Sequence, residues 1–377
     1  MVKRKDTALS RLIKDRIRSE GPMTFRNFMA ASLYDPSYGF YTEGPNIGSP
    51  EGPFDTNVKF PAFAFALAQA VKQVDFILGA GTRILEIGGG TGQLGQSILK
   101  FLGGQREYIV IDPSSGLRAR QDEAGLKAVE DLAQVSPGPT VVFGNEFLDA
   151  LPVHKVMGTG EGDVLEFFVD LDEAGELCEI PQAPSTPALK ARLKALNISL
   201  GRGQVGEICL ELRSFFQKIR PVVDPGYLIF IDYGDIASNL YSYQRRNGTL
   251  RSYYHQHQIH DIFYALGEQD LTADVDFTAV IHEARAVGFV GGTLLSQGNW
   301  LRNLGIQRYT RDKKALDVIE HEVNVLTKIS QLGSAFDVLI LQTKGLPVGP
   351  GVVSETETVK ISHRPPGSPT VSIDTLE

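Results

Sequence analysis

The chain has 377 residues, enough for one large core or two moderate ones, since domains usually run to about 100–200 residues. Hydrophobic residues make up 42% of the chain and charged residues 22%, which excludes a globally disordered protein. The formal net charge of −8 gives no general attraction to nucleic acid or to anionic membranes, so neither is expected as a partner.

The first 60 residues are predicted to form a helical lead followed by a loop rich in glycine and proline. Residues 1–18 carry seven lysines and arginines against two aspartates, and their apolar side chains share one helical face: Leu9, Leu12, Ile13 and Ile17. A targeting helix has a similar pattern, but such helices usually lack acidic residues. We therefore expect a first helix that packs on the domain, with its basic face in solvent.

Cysteine content and apolar runs bear on the compartment. Only Cys178 and Cys209 are present, and their spacing suits neither a zinc site nor a disulfide framework, which fits a reducing compartment. No signal-peptide pattern is visible, and the most apolar stretch, 60–78, is interrupted by Lys72 and Asp75, so no membrane span is predicted. These features predict a cytoplasmic protein.

From residue 83, short apolar strands alternate with amphipathic segments, which is typical of a parallel sheet with crossover helices. A β-hairpin predicted at 164–180 interrupts the alternation, and the composition after Lys344 indicates a disordered tail. The predicted strands cover 83–88, 108–112, 140–144, 227–232, 289–295 and 336–342. One helix is predicted to begin at Pro61. Further helices are predicted at 94–102, 114–124, 187–198, 206–219 and 277–288.

A glycine-rich run, from Glu86 to Leu94, lies at a predicted strand-to-helix junction. Glycine tolerates positive φ and lets a ligand approach without a Cβ in the way, and the helix that follows offers free backbone amides. Asp112 ends the next strand, where a carboxylate can accept hydrogen bonds from both hydroxyls of an adenosine ribose. Glycines lower the stability of the folded state through their conformational entropy and add no side-chain contacts, so a turn with this many glycines is not expected unless it binds a ligand. We therefore expect an adenosine-containing cofactor here.

Two enzyme classes match this loop. Residues 90–95 satisfy the G-x-G-x-x-G fingerprint of dinucleotide-binding dehydrogenases, which alone is a weak signal. The strand is predicted to stop at Gly88, however, so the tight turn would begin two residues too early for a dehydrogenase. Glu86 also fits the E-x-G-x-G-x-G loop of methyltransferases. The loop therefore favours an S-adenosylmethionine-dependent methyltransferase over an NAD-dependent oxidoreductase.

Several further runs of the sequence are distinctive. The most specific is NEFLDALPVH at 145–154. The others are GPMTF at 21–25, YDPSYGFY at 34–41, DPSSGLRARQ at 112–121, IDYG at 231–234 and GEQDLTADVDF at 267–277. Through these runs and the glycine loop, the sequence resembles the MidA-like family of S-adenosylmethionine-dependent methyltransferases from about residue 21 to about residue 343.

This resemblance implies an α/β fold with a Rossmann-like class I methyltransferase sheet at about 61–343. Residues 1–60 would form an N-terminal helical lid, a hairpin-helix subdomain would be inserted at about 153–220, and 344–377 would be the tail. The cofactor would be S-adenosyl-L-methionine. The methyl acceptor would be a protein arginine, on a respiratory complex subunit, because mitochondrial members are arginine methyltransferases needed for complex I assembly. The implied cofactor-binding residues are Glu86, Gly88, Gly90, Gly92, Leu94, Asp112, Pro113 and Asn145.

Three acidic residues are candidates for the acceptor site. Glu146 follows one strand of the parallel sheet and Asp232 ends another, so both are expected at the carboxyl edge, where α/β sheets bind ligands. A planar, cationic guanidinium pairs with carboxylates, so we predict Glu146, Asp149 and Asp232 as catalytic residues. Asp149 would equally suit a helix cap or a solvated turn, and His154 is expected only at the periphery.

No metal site is predicted. The histidine run at 255–260 lacks the strand-and-turn framework of a zinc site and has no cysteine nearby. Asp270, Asp274 and Asp276 would either cap the helix that begins at Phe277 or border the acceptor channel.

The chain departs from the family in one loop. Where the family typically reads GDFxTSPE, this chain has GPFDTNVK at 52–59, so Pro53 and Lys59 replace acids, although Asp55 could compensate for the first. Gly89 also stands where proline is usual. These departures keep a third hypothesis open, a non-catalytic assembly factor that retains the cofactor-binding fold. The sequence does not indicate an oligomeric state.

Overall fold

The computed structural model describes residues 4–42, 56–79, 81–104, 106–160, 162–309, 316–352 and 371–372. Pro53, which replaces an acid of the family, and Asp55, which could compensate for it, lie outside these residues. The helices are α1 (Ala8–Glu20), α2 (Phe25–Tyr34), α3 (Pro61–Leu78), α4 (Gln93–Phe101), α5 (Ser115–Glu123), α6 (Ala188–Ala195), α7 (Glu211–Ile219), α8 (Ala237–Leu240), α9 (Phe277–Ala286), α10 (Gln297–Asn303), α11 (Leu316–Thr327) and α12 (Leu332–Ala335), with short 3-10 turns at Asn57–Lys59, Leu132–Gln134 and Ile306–Arg308.

The strands of the described residues fall into four sheets. They are β1 (Met23–Thr24), β2 (Arg83–Ile87), β3 (Tyr108–Ile111), β4 (Lys127–Val129), β5 (Gly138–Asn145), β6 (His154–Gly158), β7 (Val164–Leu171), β8 (Leu177–Gln182), β9 (Val205–Ile208), β10 (Val223–Asp232), β11 (Gly234–Asp235), β12 (Arg251–Tyr254), β13 (His257–Ile259), β14 (Asp270–Thr272), β15 (Val275–Asp276), β16 (Phe289–Ser296), β17 (Asp337–Thr343) and β18 (Val371–Ser372).

The central sheet has eight strands in the order β18-β16-β17-β10-β5-β2-β3-β4. Strands β10, β5, β2, β3 and β4 run parallel to one another, and β17 runs antiparallel to β10. The strand order reverses between β2 and β5, which opens a crevice at the carboxyl ends of these two strands, where α/β sheets bind ligands. The predicted α/β sheet with crossover helices is confirmed.

Apolar layers cover both faces of this sheet. Successive residues of β10 point to opposite faces, so Tyr227 and Ile229 join one cluster while Leu228 and Phe230 join the other. The first cluster includes side chains of α3, α4 and α10, and the second includes side chains of α7 and α9. A sheet buried on both faces explains why its strands read as continuous apolar runs.

Among the described residues, one helix, α3, is apolar and long enough to cross a membrane by length and composition alone. Half of the helix is buried, and Leu67, Val71 and Val74 pack in the core against the central sheet. Core helices pass the same test, so it is weak evidence for a membrane span here.

A second, antiparallel sheet in the order β1-β7-β6-β9, with β8 on β7, stands beside the first. The predicted hairpin at 164–180 is confirmed as β7 and β8. Helices α1 and α2 share an apolar cluster with this sheet, and Leu9, Ile13 and Ile17 of α1 are buried. The predicted packing of the basic first helix is therefore confirmed.

Two segments differ in kind from the sequence prediction. Residues 206–208, the start of the helix predicted at 206–219, belong to β9, because their backbone pairs with β6, and the helix begins only at Glu211. Residues 344–352 are packed on the domain: the Tyr227 hydroxyl donates to the Pro347 carbonyl and the Trp300 indole to that of Pro350, each at 2.9 Å. Both bonds satisfy polar groups of core aromatic residues, which ties down chain that was predicted to be disordered.

Candidate active site

The glycine loop runs from the end of β2 into α4. Gly88, Gly90 and Gly92 all have positive φ, at 69°, 52° and 84°, which side chains rarely tolerate. Gly92 is the N-cap residue of α4. A Cβ added at Gly89 would lie 2.5 Å from Cγ1 of Val110, so no side chain fits there. The loop therefore presents backbone, and the first amides of α4, to whatever lies in front of it.

A cavity of about 360 Å³ opens in front of this loop, which is within the usual range for small-molecule sites. Its walls come from the loops after four parallel strands and from the N-terminal segment. The lining includes Glu86 near the end of β2 with Gly88 and Gly90 after it, Asp112, Pro113 and Ser114 after β3, Glu130, Asp131 and Leu132 after β4, Asn145 at the end of β5 with Glu146 and Phe147 after it, and Tyr34, Tyr41, Thr56 and Val58 from the N-terminal segment.

Six of the eight predicted cofactor-binding residues line this cavity: Glu86, Gly88, Gly90, Asp112, Pro113 and Asn145. Gly92 and Leu94 do not. A Cβ at Gly92 would lie 3.1 Å from Cδ1 of Leu126, so this glycine serves the packing of α4. The Leu94 side chain is buried in the core, because the first turn of α4 directs it toward the sheet.

Asp112 is fixed in place by two hydrogen bonds. Its Oδ1 accepts from the Ser114 amide at 3.0 Å, and its Oδ2 accepts from Nε2 of Gln121 at 2.9 Å. The same Gln121 nitrogen donates to the Gly90 carbonyl at 2.8 Å. Burial raises the pKa of Asp112 above its ordinary value. Gln121 thus ties the glycine loop to the carboxylate, a role that its position in the 112–121 run did not reveal.

Glu86 lies at the floor of the cavity and is 3% exposed. The Tyr108 hydroxyl donates to its Oε2 at 2.9 Å. Burial raises the pKa of Glu86 to about 7, although the hydrogen bond from Tyr108 opposes this shift. This carboxyl group therefore changes its charge near neutral pH.

Glu146 lies in the cavity wall, directly after β5, the strand that pairs with β2. Its φ is +51°, an unusual conformation for a non-glycine residue, and its Oε1 accepts three hydrogen bonds. The donors are the Thr56 hydroxyl at 2.5 Å, the Asn145 side-chain amide at 2.9 Å and the Asn57 backbone amide at 3.4 Å. Burial, with a smaller contribution from the charge of Asp149, raises the pKa of Glu146 to about 7.

The other two predicted catalytic acids lie behind this wall. Oδ2 of Asp232 accepts from the backbone amides of Phe147, Leu148 and Asp149, at 3.2, 2.9 and 3.3 Å, so it holds the turn after β5. Asp149 accepts a hydrogen bond from the Tyr233 hydroxyl, and burial raises its pKa to about 6. Of the three predicted acids, the structure therefore brings only Glu146 to the cavity wall, because the other two carboxylates are turned inward by these bonds.

The acids of the 270–276 run have three different roles. Asp276 caps α9, since its side chain accepts from the Ala279 amide at 3.0 Å, as the sequence allowed. Asp274 forms ion pairs with Arg245 and Arg251. Asp270 is buried, and its Oδ1 accepts from the Tyr41 hydroxyl at 3.1 Å. Only Asp270 thus touches a cavity-lining side chain.

His154 and the histidine run lie away from the cavity lining. Nδ1 of His154 lies 2.7 Å from Oε1 of Glu166, and both side chains are buried, which agrees with the peripheral place expected for this histidine. His255 and His257 are exposed at the β12–β13 hairpin.

Sequence reasoning missed several residues of the cavity roof and its supports. Tyr34 and Tyr41, whose rings stack with centroids 5.6 Å apart, lie within the matched 34–41 run. The Ser114 hydroxyl donates to the Tyr41 carbonyl at 2.7 Å and so joins the roof to the loop after β3. Asn57 lies in the 52–59 run, but nothing in the sequence linked it to Gln297, because the two residues are 240 positions apart and only the fold brings them together.

A family model whose description reads "Putative S-adenosyl-L-methionine-dependent methyltransferase" matches residues 63–291, more than half of the chain. The chain belongs to this family. The methyltransferase is 26% identical over 342 residues to the Mus musculus protein named "Protein arginine methyltransferase NDUFAF7, mitochondrial", covering 80% of this chain and 74% of that relative. The Homo sapiens protein of the same name is 25% identical over 341 residues, with the same coverage.

A solved structure also matches the methyltransferase. It is a COG1565 superfamily member from Burkholderia thailandensis bound to S-adenosyl-homocysteine, with a TM-score of 0.81 and 28% identity, covering 91% of this chain and 94% of that chain. Together with the family match, it confirms the predicted class I methyltransferase fold, the activity and the cofactor S-adenosyl-L-methionine. The NAD-dependent oxidoreductase is thereby set aside.

The predicted cytoplasmic location is wrong, because the mouse and human relatives are named as mitochondrial proteins. The prediction rested on two cysteines and on the lack of a signal-peptide pattern. A low number of cysteines indicates only a reducing compartment, and it does not distinguish one reducing compartment from another.

The cavity suits the chemistry of this cofactor. The ribose of an adenosine presents two hydroxyl donors, and the buried Asp112 carboxylate at the wall is an acceptor for them. The methionine part carries a carboxylate, which the backbone-lined loop and the N-terminal end of α4 favour. The residues present therefore fit the cofactor.

Proposed function

We propose that this methyltransferase modifies an arginine side chain of a protein, and that Glu146 orients the guanidinium group. The proposal is supported by the names of the mouse and human relatives and by one observation in this chain. Glu146 is the one predicted catalytic acid that lines the cavity. A guanidinium is planar and always cationic, so a carboxylate is the matching partner.

The residues of the cavity divide into a cofactor side and an acceptor side. On the cofactor side, Asp112 would accept hydrogen bonds from the ribose hydroxyls, and Glu86 and the glycine loop would hold the methionine part. Glu130, Asp131 and Leu132, which follow β4 and line the cavity, would hold the adenine. When bound, the cofactor supplies an electrophilic methyl group on a sulfonium. The chain's own task is to position the acceptor nitrogen in line with that group and to exclude water.

Glu146 has one carboxylate oxygen committed and one available. Three hydrogen bonds hold Oε1, while no described residue donates a hydrogen bond to Oε2. We therefore expect Oε2 to accept one N–H of the acceptor, which fixes the direction of its nitrogen lone pair. Because the pKa of Glu146 is raised to about 7, its charge, and with it acceptor binding, develops as the pH rises through 7.

The test is a transfer assay with S-adenosylmethionine labelled in the methyl group and a lysate of cells that lack this protein. Hydrolysis of the labelled proteins should yield methylarginine. In Glu146→Gln, which keeps the shape but removes the charge, the yield should fall about 10²-fold, the cost of misplacing a reacting group. Calorimetry should show unchanged S-adenosylmethionine binding. Glu173→Gln, at an exposed site in the β7–β8 turn, is the matched control.

Other outcomes separate the remaining hypotheses. Label recovered in methyllysine would overturn arginine as the acceptor, and a parental rate in Glu146→Gln would overturn the role of Glu146. Tight cofactor binding without any labelled protein would overturn a protein side chain as the methyl acceptor. A respiratory complex subunit as the substrate stays a prediction, to be checked by identifying the labelled protein.

A further inference from the structure

A reciprocal pair of side-chain amides is buried behind the acceptor side of the cavity. Nδ2 of Asn57 donates to Oε1 of Gln297 at 2.9 Å, and Nε2 of Gln297 donates to Oδ1 of Asn57 at 3.0 Å. Both residues have no exposed surface. Burying two amides is costly unless their hydrogen bonds are made, and here the two side chains satisfy each other.

The pair joins the cavity wall to the far end of the chain. Gln297 is the first residue of α10, and its backbone amide donates to the Phe336 carbonyl at 2.9 Å, just before β17. Its side-chain nitrogen also lies 3.4 Å from the Leu326 and Leu332 carbonyls. Gln297 is therefore fixed by its own surroundings, and it can serve as an anchor for Asn57.

Asn57 is directly connected to the side chain that faces the acceptor. Its backbone amide and the hydroxyl of the preceding Thr56 both donate to Oε1 of Glu146. Its side-chain nitrogen lies 3.4 Å from Oδ1 of Asn145, whose own amide donates to the same Glu146 oxygen. Moving Asn57 would therefore disturb all three donors of the Glu146 carboxylate.

We propose that the Asn57–Gln297 amide pair positions Glu146, by clamping the segment at 56–57 so that its donors hold Oε1 and leave Oε2 for the acceptor. The inference rests on the proposed role of Glu146. Asn57 and Gln297 are positioning residues, since neither lines the cavity. Their effect reaches the reaction only through Glu146.

The effect of the Asn57–Gln297 pair, called the clamp below, can be measured through the pKa of Glu146, because acidic residues surround this carboxyl. The acids that interact with it are Asp149 in its own turn, Asp232 at the end of β10 and Asp270 in β14. Like charges and burial oppose ionisation of Glu146, while the donors from Thr56, Asn57 and Asn145 favour it. Loss of the clamp removes donors but leaves the acids in place, so the carboxyl should become harder to ionise.

The experiment follows the titration of Glu146 itself, without any acceptor. The infrared band of the protonated carboxyl that disappears in Glu146→Gln is recorded against pH in the full-length protein. In the parent it should titrate near pH 7, and in Gln297→Leu its midpoint should move to higher pH. Asn303→Ala is the control, since Asn303 lies on the same helix and donates to the Gly351 carbonyl at 2.9 Å. It should keep the parental midpoint.

Transfer kinetics give the second readout. In Gln297→Leu we expect kcat to fall about tenfold, less than the cost of removing a reacting group, with unchanged KM for S-adenosylmethionine. The swapped pair, Asn57→Gln with Gln297→Asn, keeps both amides and should recover the parental midpoint. If Gln297→Leu does not fold, Asn57→Ala opens the pair from the other side and is titrated instead.

A folded Gln297→Leu or Asn57→Ala with the parental Glu146 midpoint would overturn the inference, whatever the acceptor proves to be. A swapped pair that folds but keeps the displaced midpoint would also count against the amide pair as the cause. The infrared titration does not depend on arginine being the acceptor. An absence of methylarginine therefore tests the proposed function alone.

Discussion

The two sides of the cavity are built in different ways. The cofactor side comes from loops directly after β2, β3 and β4, and each of its residues lies within a few positions of a strand end. The acceptor side consists of Thr56 and Glu146 in the cavity wall, with Asp270 and Gln297 buried behind it, and these residues lie on segments far apart in the chain. The first kind of site can be recognised in a sequence, whereas the second exists only once the chain has folded.

Acids at the two sides also serve different purposes. Asp112 reaches the cavity because a short loop after β3 presents it, with local hydrogen bonds from Ser114 and Gln121. At the acceptor side, one oxygen of Asp232 accepts hydrogen bonds from three backbone amides, so Asp232 holds the turn that follows Glu146. A carboxylate at a strand end is therefore either a ligand-facing group or a turn anchor, depending on which donors surround it.

The largest expected effect tests whether Asp232 is such an anchor. Asp232→Leu leaves three amides of the 147–149 turn without an acceptor. We expect the free energy of unfolding, measured with urea, to fall by about 4 kcal/mol, at ~1–3 kcal/mol for each buried unpaired group. Asp232→Asn keeps an acceptor oxygen and should cost much less. Equal losses in the two variants would show that charge, rather than the anchoring bonds, is what the turn requires.

Particular residues show how much the sequence could predict. Gly88, Gly90 and Asp112 line the cavity, and the sequence could single them out because their spacing relative to one strand and one helix is local. Their contact with the cofactor stays a prediction. Leu94 was assigned to the cofactor from its place in the motif, but helical geometry turns its side chain into the core. Asp149 and Asp232 lie at the carboxyl edge of the sheet, as the sequence predicts. Their hydrogen-bond donors, which turn both carboxylates away from the cavity, come from neighbours that only the fold defines.

The second effect concerns Glu86, on the cofactor side, and the pH dependence of stability. The ordinary pKa of Glu86 is 4.5, and burial raises it to about 7 in the folded protein. Between these values the folded chain binds more protons than the unfolded chain, so stability falls as the pH rises from about 4.5 to 7. This contribution is about 3 kcal/mol, at ~1.4 kcal/mol for each pH unit.

Glu86→Gln should remove that contribution. The cofactor-free parent and variant are each unfolded with urea at pH 5 and at pH 8. The drop in the free energy of unfolding between these two pH values should be about 3 kcal/mol smaller in the variant than in the parent. Glu146, Asp149 and Asp270 have raised pKa values too, so part of the parental loss should remain. Identical losses in parent and variant would mean that Glu86 is already ionised at pH 5.

Gly90→Val should break the cofactor side without affecting the acceptor side. Gly90 has a φ of +52°, which a β-branched residue adopts only with strain of ~1–3 kcal/mol. We expect the affinity for S-adenosylmethionine, measured by calorimetry, to fall at least tenfold, or ~1.4 kcal/mol. The infrared titration of Glu146 should be unchanged. Parental affinity in this variant would show that the loop does not contact the cofactor.

The smallest expected effect concerns Tyr41, which touches both sides. Its carbonyl accepts from Ser114 on the cofactor side, and its hydroxyl donates to Asp270 on the acceptor side. Tyr41→Phe removes only the second bond, worth about 1 kcal/mol. The KM for the protein acceptor should then rise about fivefold, with S-adenosylmethionine affinity within about twofold of the parent.

Tyr34→Phe is the matched control, because the Tyr34 hydroxyl donates to the Ala150 carbonyl at 2.9 Å and makes no hydrogen bond to Asp270. The Tyr41 hydrogen bond favours the ionised form of Asp270, whose pKa burial raises to about 7. Its loss should raise that pKa further, so the change in acceptor KM should be largest below pH 7 and fade as the pH rises. A uniform change at every pH would mean that the Tyr41 hydroxyl acts without altering the ionisation of Asp270, and an unchanged acceptor KM would mean that the hydroxyl is not needed. Weaker cofactor binding with an unchanged acceptor KM would assign Tyr41 to the cofactor side instead.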